Sequence, residues 1–241
     1  TVEFRKSDLT TGVELDGATL TVLDKDGNEI DKWTSVKGEP HIIKRLHVGE
    51  TYILREEFAP YGYLKAEEVE FTITDTAEIQ KVEMKDDVPI GRIIINKKGE
   101  FLSEVSWNDM VAGAMDSIWG YVTGSLKDVT FEIYAREDIK AADGESDDYY
   151  KKDELVATIK TDELGIARTD DLPLGKYYVV EKETADGFVL DGEPRDIDLT
   201  YRDQDTPVVT FDSEWQNSRQ KAKVIVTKKE KDSDRVLEGG V

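Results

Sequence analysis

Along most of this chain apolar side chains fall on alternate residues, and Gly, Asp and Pro interrupt the runs at short intervals. A period of two turns one face inward only if the backbone is extended, so the chain is constrained to fold as β-structure. Val2 and Phe4 begin the pattern, Ala18, Leu20 and Val22 continue it, and Asp26-Gly27 marks a tight hairpin turn. Ile42, Ile43 and Leu46 follow, then Tyr52 and Leu54, then Val69, Phe71 and Ile73, then Val82 and Met84. Short strands at this spacing predict a small sandwich or a partly open barrel.

The pattern breaks at Asp87-Val-Pro-Ile-Gly91, a junction by composition, and restarts with Ile93-Ile-Ile95. Val129, Phe131 and Ile133 come next, then Leu155 to Ile159, Tyr177 to Val180, Ile197 to Leu199 and Val208 to Phe211. Ser106-Trp-Asn-Asp109 has the form of a helix N-cap, and Trp107, Val111, Met115, Ile118 and Val122 recur at helical spacing. A short amphipathic helix is therefore expected there, packed on its own sheet. The polar, acidic stretch from Ala142 to Asp153 reads as a solvated loop. After the basic run Arg219-Gln-Lys-Ala-Lys223, the segment from Lys228 to Gly239 matches Lys6 to Gly17 in its lysine, aspartate, leucine and glycine positions. The expected organisation is tandem: residues 1–88, residues 89–220 with an insertion around 101–127, and residues 221–241 as linker and first strand of a truncated third repeat.

Three strands of the first unit carry core-facing parity straight into an ionisable residue. Val2 and Phe4 lead to Lys6, Tyr52 and Leu54 to Glu56, and Val82 and Met84 to Asp86. The second unit repeats the order: Ile93 and Ile95 lead to Lys97, Tyr177 and Val179 to Glu181, and Phe211 and Trp215 to Asn217. For a single position the plain reading is a strand leaving the core for solvent. Two units sharing one triplet leave two readings, a buried ion pair or a bond.

An apolar site disfavours charge, lowering a lysine pKa and raising that of a carboxylic acid. A neutral amine held beside a carboxyl or carboxamide carbon is a nucleophile, and a neighbouring glutamic acid can polarise the carbonyl and relay protons. The products would be a Lys6–Asp86 isopeptide with loss of water and a Lys97–Asn217 isopeptide with loss of ammonia, with Glu56 and Glu181 in the catalytic role.

These residues resemble the Cna B-type, prealbumin-like repeats of Gram-positive surface adhesins and pilus subunits. The likeness rests on the glutamate box Tyr52-x-Leu-x-Glu56-x-x-Ala59-Pro60-x-Gly62-Tyr63, on Lys6 ahead of Leu15-Asp-Gly17, and on the terminal Val82-Glu-Met-Lys-Asp86. In the second unit Ala185 replaces the box proline and Phe188 the final tyrosine, while Glu214-Trp-Gln-Asn-Ser-Arg219 looks like the family's terminal asparagine at Asn217, with Asp212 as the fallback. The resemblance implies all-β, Ig-like sandwich domains stiffened by intramolecular isopeptide bonds, in an extracellular protein of a Gram-positive cell wall. Each glutamate would act once, on its own chain, so the protein would not be an enzyme in the turnover sense.

Composition limits the alternatives. Among 241 residues the formal charge is −21, which argues against nucleic acid and anionic membranes as partners. Cysteine is absent, which excludes disulfides and thiolate metal sites, and no apolar run is long enough to span a bilayer. The chain opens on a strand pattern without a leader and stops just after a new one, which reads as an excised piece of a longer protein. Asp24 to Glu29 has a passing likeness to a calcium loop, but its glycine comes early and the closing glutamate is missing, so a hairpin turn is expected. No cofactor or metal is implied.

The expected function is therefore a stalk or spacer in a wall-attached adhesin or pilus-like protein, with neighbouring repeats as partners. One rival is a ligand-binding module that meets a host protein or glycan through the insertion and an aromatic patch around Trp107 and Trp119. The other is a hydrolase built on paired carboxylates such as Glu56 and Asp86, which would need an open cleft and two unlinked acids.

Overall fold

A computed structural model describes residues 1–107, 117–221 and 231. The strand pattern of the first unit becomes β1 (Val2–Asp8), β2 (Thr19–Leu23), β3 (Glu29–Thr34), β4 (His41–Ile43), β5 (Thr51–Phe58), β6 (Val69–Thr72) and β7 (Gln80–Asp86). They form two sheets, ordered β4-β1-β7 and β3-β2-β5-β6. Between these sheets lie Val2, Phe4, Leu20, Val22, Leu54, Phe71 and Met84, the inward residues of the alternating runs. The first and last strands are neighbours and run parallel, with Phe4 opposite Val82 and Lys6 opposite Met84.

The second unit is built the same way from β8 (Ile90–Trp107), β9 (Ser117–Ser125), β10 (Thr130–Ala135), β11 (Leu155–Lys160), β12 (Ile166–Arg168), β13 (Leu172–Pro173), β14 (Gly175–Glu183), β15 (Arg195–Leu199) and β16 (Val208–Asn217). One sheet is ordered β11-β10-β14-β15. In the other, β8 is central and pairs with β12, β13, β9 and, in parallel, β16. Ile93, Ile95, Phe131, Ile133, Tyr177, Val179 and Trp215 fill the space between the two sheets. Asp87-Val-Pro89 is all that separates β7 from β8.

Among the described residues the expected helix does not form. Residues Phe101–Trp107 and Ser117–Ser125 are instead the two arms of an antiparallel β8–β9 ribbon, with Phe101 opposite Val122 and Trp107 opposite Ser117. The reason lies in local preference. Gly120 costs a helix interior about 1 kcal/mol, whereas Tyr121, Val122 and Thr123 favour an extended backbone. Val111 and Met115, which completed the helical spacing, lie outside the described residues, as do the side chains of Trp107 and Trp119. So does nearly all of the third repeat start, from 222 to 230 and from 232 onward.

The turn at Asp24–Asn28 is a hairpin turn: Asp24 Oδ1 accepts the backbone N–H groups of Asp26 and Asn28, both at 2.9 Å, and Gly27 takes a φ of 83°. The Ala142–Asp153 stretch is a loop but is not wholly solvated. Its Glu145 carboxylate pairs with the Lys37 ammonium of the first sandwich. The loop after β15 grips that sandwich more firmly. The Ala59 and Lys65 N–H groups donate to the side-chain and backbone oxygens of Gln204, each at 2.9 Å, and the Tyr201 hydroxyl donates to Tyr63 O at 3.0 Å. The Tyr61 ring meets Tyr201 edge-on at 4.9 Å. The segment that follows Glu56 is thus held from outside its own sandwich.

The β11–β12 turn bears directly on Lys97, whose N–H donates to Gly165 O at 2.7 Å. Gly165 has φ of 75°, and a Cβ there would stand 2.6 Å from Lys97 O. Both constraints demand glycine. Gly165→Ala should lower the stability of the second sandwich by roughly 2–3 kcal/mol, read as a drop in its thermal midpoint. An unchanged midpoint would show that the turn does not hold the Lys97 backbone in place.

Candidate functional site

Each sandwich buries one lysine, one glutamate and one terminal Asp or Asn at the same place. Lys6 is 3% exposed, Glu56 and Asp86 0%, Lys97 0%, Glu181 2% and Asn217 1%, so solvent screens none of them. The lysine and the terminal residue sit on parallel neighbours in one sheet. Lys6 is in register with Met84, two residues before Asp86, and Lys97 is in register with Trp215, two residues before Asn217. An offset of two keeps both side chains on the inward face and points them at one another. Asp212, by contrast, lies on the exposed face of β16, where its Oδ1 accepts from Asn96 Nδ2 at 2.6 Å.

The glutamate comes from the opposite sheet. Glu56 lies opposite Leu20, and Glu181 opposite Phe131. In both cases the ladder slips by one residue immediately afterwards, because Thr19 pairs with Phe58 and Thr130 with Glu183. A β-bulge therefore follows each glutamate, bending its strand just where the carboxyl group has to cross to the facing sheet. The sequence reading missed both bulges. They leave no composition signal beyond the strand pattern itself.

In the first sandwich Lys6 Nζ donates to Asp86 Oδ1 and stands 3.0 Å from Glu56 Oε1. Glu56 Oε2 accepts the Ala66 N–H at 2.7 Å, which fixes the carboxyl plane. In the second sandwich Lys97 Nζ is 2.7 Å from Glu181 Oε2, while Asn217 Nδ2 donates to Glu181 Oε1 and, at 2.8 Å, to Thr184 Oγ1. Thr184 had no part in the sequence reading. Glu181 is thus the shared partner of amine and carboxamide, and the structure gathers all six sequence-predicted residues into two triads.

Hydrogen bonding inside the triads is incomplete. Six buried side-chain atoms of the described residues lack a hydrogen-bond partner, and five are Glu56 Oε1, Asp86 Oδ2, Lys97 Nζ, Glu181 Oε2 and Asn217 Oδ1. The Lys6–Glu56 and Lys97–Glu181 contacts are ion-pair distances without hydrogen-bond alignment. Buried polar groups are normally satisfied, and leaving one unpaired costs about 1–3 kcal/mol. Burial also sets the protonation. It pushes the Asp86 carboxyl up to about 7, with the Lys6 ammonium opposing and the Glu56 carboxylate adding to the rise. It lowers the Lys97 ammonium below its ordinary range, against the pull of Glu181. A neutral amine, a protonated acid and a carbonyl carbon are what amide formation needs.

The triad geometry yields a pH test. A folded-state acid with a raised pKa holds its proton more tightly than the unfolded chain does, so stability is lost as pH rises from 3.8 to about 7. Lys6→Met removes the one opposing cation, leaving two buried carboxyl groups. The variant should lose about 3–5 kcal/mol and be less stable at pH 8 than at pH 5 in thermal denaturation. A flat profile would mean that Asp86 and Glu56 are not buried together.

The family described as SpaA, a prealbumin-like fold domain, matches residues 1–88 and 121–215. Lys6, Glu56, Asp86 and Glu181 fall within the matched segments, Lys97 lies in the stretch between them and Asn217 is two residues past the second. Among solved structures, the TIE protein of Bacillus anthracis is similar over 90% of this chain at 23% identity and a TM-score of 0.52, a likeness of fold. The chain spans about a third of that protein's length, 33%. GBS52, the minor pilin of Streptococcus agalactiae, is similar over 95% of this chain and 100% of its own at 14% identity, TM-score 0.38. BcpA, the major pilin subunit of Bacillus cereus, is similar over 91% of this chain and 99% of its own at 13% identity, TM-score 0.34. No curated protein matches the chain.

Proposed function

The chain belongs to the SpaA family of prealbumin-like fold domains, and from that premise we propose that it is a load-bearing stalk segment whose two sandwiches cross-link themselves. Its domains on this reading are residues 1–88 and 89–220, followed by the start of a third repeat. Its place is the surface of a Gram-positive cell, in a wall-attached adhesin or pilus-like protein, with neighbouring repeats as its partners.

The observation that carries the proposal is the repeated triad. Parallel first and last strands place an amine two residues out of register from Asp or Asn, beneath a buried glutamate, in both sandwiches. In the first, Lys6 Nζ attacks Asp86 Cγ; the C–N bond forms, one carboxyl oxygen leaves as water, and Glu56 passes the protons. In the second, Lys97 Nζ attacks Asn217 Cγ and the carboxamide nitrogen leaves as ammonia. Glu181 ends the reaction holding one of the protons released by Lys97. Each reaction replaces a buried ammonium with a neutral amide. Each glutamate acts once, so the chain is not an enzyme with turnover.

The bond lies where tension runs. A pull entering at Val2 passes along β1 to Lys6, crosses to Asp86 and leaves through the junction into β8. Everything from Ser7 to Lys85 is then off the load path. The same holds between Lys97 and Asn217. Closing a loop of 80 residues also restricts the unfolded chain, worth about 4–5 kcal/mol on the loop-entropy argument.

A second reading draws on the ribbon, whose Leu102, Tyr121 and Val122 are exposed at 42%, 39% and 54%. These would form an adhesive face for a host extracellular protein or glycan. Equal retention of the wild type and a Tyr121→Ser, Val122→Ser variant on immobilised matrix proteins and glycans would remove that reading.

Intact-mass spectrometry tests the stalk proposal. The chain should weigh less than its sequence by one water plus one ammonia, and Glu56→Ala should restore the water alone. A full unmodified mass would sink the cross-links. Glu56→Ala protein that still lacks the water would remove Glu56 from the chemistry.

A further inference from the structure

The two triads differ in one contact that the isopeptide reading does not explain. Asn217 has two N–H groups to place in a buried site, whereas an Asp at that position has none. Glu181 accepts one of them and Thr184 Oγ1 accepts the other at 2.8 Å. The chain places Thr184 three residues after Glu181. Three residues after Glu56 stands Ala59, which has no side-chain acceptor. The two segments are in the same frame. Gly62 and Gly187, each six residues past the glutamate, take φ of 94° and 83°, and the aromatic residues that follow them, Tyr63 and Phe188, are both buried. Thr184 therefore pairs with Asn217, and Ala59 with Asp86.

We propose that Thr184 is a positioning residue that adapts the second triad to an asparagine by holding the leaving nitrogen against Glu181. The inference rests on the isopeptide reading above. The reaction begins with Lys97 as ammonium and Glu181 as carboxylate. Lys97 gives one proton to Glu181 and its neutral Nζ attacks Asn217 Cγ. The Cγ–Nδ2 bond must then break, and amide nitrogen leaves only once protonated. Glu181 delivers its proton to Nδ2, takes the second proton released by Nζ, and ammonia departs. Five N–H protons enter, three on Nζ and two on Nδ2; three leave in ammonia, one stays on the new amide and one on Glu181.

Delivery to Nδ2 requires the carboxamide to present nitrogen, not oxygen, to Glu181. While Glu181 is a carboxylate its charge enforces that orientation, since it can only accept. Once it carries the Lys97 proton it donates equally well to Oδ1, and the selection is lost. Thr184 is the acceptor that remains, 2.8 Å from Nδ2. In the first sandwich the leaving atom is a carboxyl oxygen, both oxygens of a carboxyl group are equivalent on rotation, and no such hold is needed. Ala59 suffices.

The test is the time course of mass loss from the full chain made by cell-free synthesis. Thr184→Val should slow loss of ammonia by roughly fivefold or more, the size of one lost hydrogen bond. Loss of water from the first sandwich in the same molecules should be unchanged, and Thr184→Ser should retain the wild-type ammonia rate. In an Asn217→Asp background, where the second sandwich must lose water, Thr184→Val should make little difference. Equal slowing in the Asn217 and Asn217→Asp backgrounds would assign Thr184 to packing and overturn the inference. So would an unchanged ammonia rate, or an Asn217→Asp chain that stays unlinked with Thr184 in place. A wild-type chain that loses no ammonia at all would instead overturn the cross-link reading for this sandwich, and the inference with it.

Discussion

The structure depends on burying a lysine amine beside a carboxyl group between two sheets. In water that pair would be worth little, and in the core the loss of hydration outweighs much of the attraction unless every remaining hydrogen bond is made. Here they are not all made, since five of the triads' polar atoms have no hydrogen-bond partner. A fold that needed only stability would have filled these positions with leucine. Two sandwiches instead place the same incompletely bonded triad at the same register offset, and bulge the facing strand at the same point to bring in the glutamate. The arrangement makes physical sense as the reactant state of a condensation that removes the buried charges.

The two sites solve one problem with different charge counts. The first holds one amine and two carboxyl groups, so one proton must be shared among acids, and Asp86 is the acid that burial pushes up to about 7. On the proposed condensation its carboxyl group would then lose a hydroxyl as water. The second is neutral overall, one ammonium against one carboxylate, and its carboxamide brings no proton to spare. Lys97 must supply it. The secondary contacts differ as well: the Ala66 N–H steadies Glu56, while Glu181 accepts from the Asn217 carboxamide. Substituting Asp for Asn would thus change the proton supply as well as the leaving group.

How much of this was legible in the chain depended on whether the signal was local. Inward parity at Tyr52, Leu54 and Glu56 is a property of three residues on one strand, and the same holds at Lys6, Asp86, Lys97, Glu181 and Asn217. Those could be read directly. The parallel pairing of β1 with β7 and β8 with β16 joins segments far apart in sequence, and alternation says nothing about which strands are neighbours. The bulges were hidden because slipping by one residue alters pairing without altering composition. The helix failed for the opposite reason. Trp107, Ile118 and Val122 lie at helical spacings and also within strands, and Gly120 with the strand-favouring Tyr121 and Val122 decided between them. Thr184 was invisible because its role exists only beside Asn217, on a different strand.

The junction completes the physical case. A stalk is as stiff as its weakest link, and two rigid sandwiches joined by a free hinge would bend. Only Asp87-Val-Pro89 separates β7 from β8, and the proline removes one rotatable torsion from that short span. Most of the hydrogen bonds across it fall on the segment after Glu56. Gln204 receives the Ala59 and Lys65 N–H groups, and Tyr201 reaches Tyr63 O. That same segment carries the Ala66 N–H that steadies Glu56. Bending at the junction would therefore strain the turn that organises the first triad, so the geometry of the joint and of the reactive site are not independent. A cross-link formed before bending would protect the site from that strain, because an amide between Lys6 and Asp86 no longer needs Glu56 to stay in place.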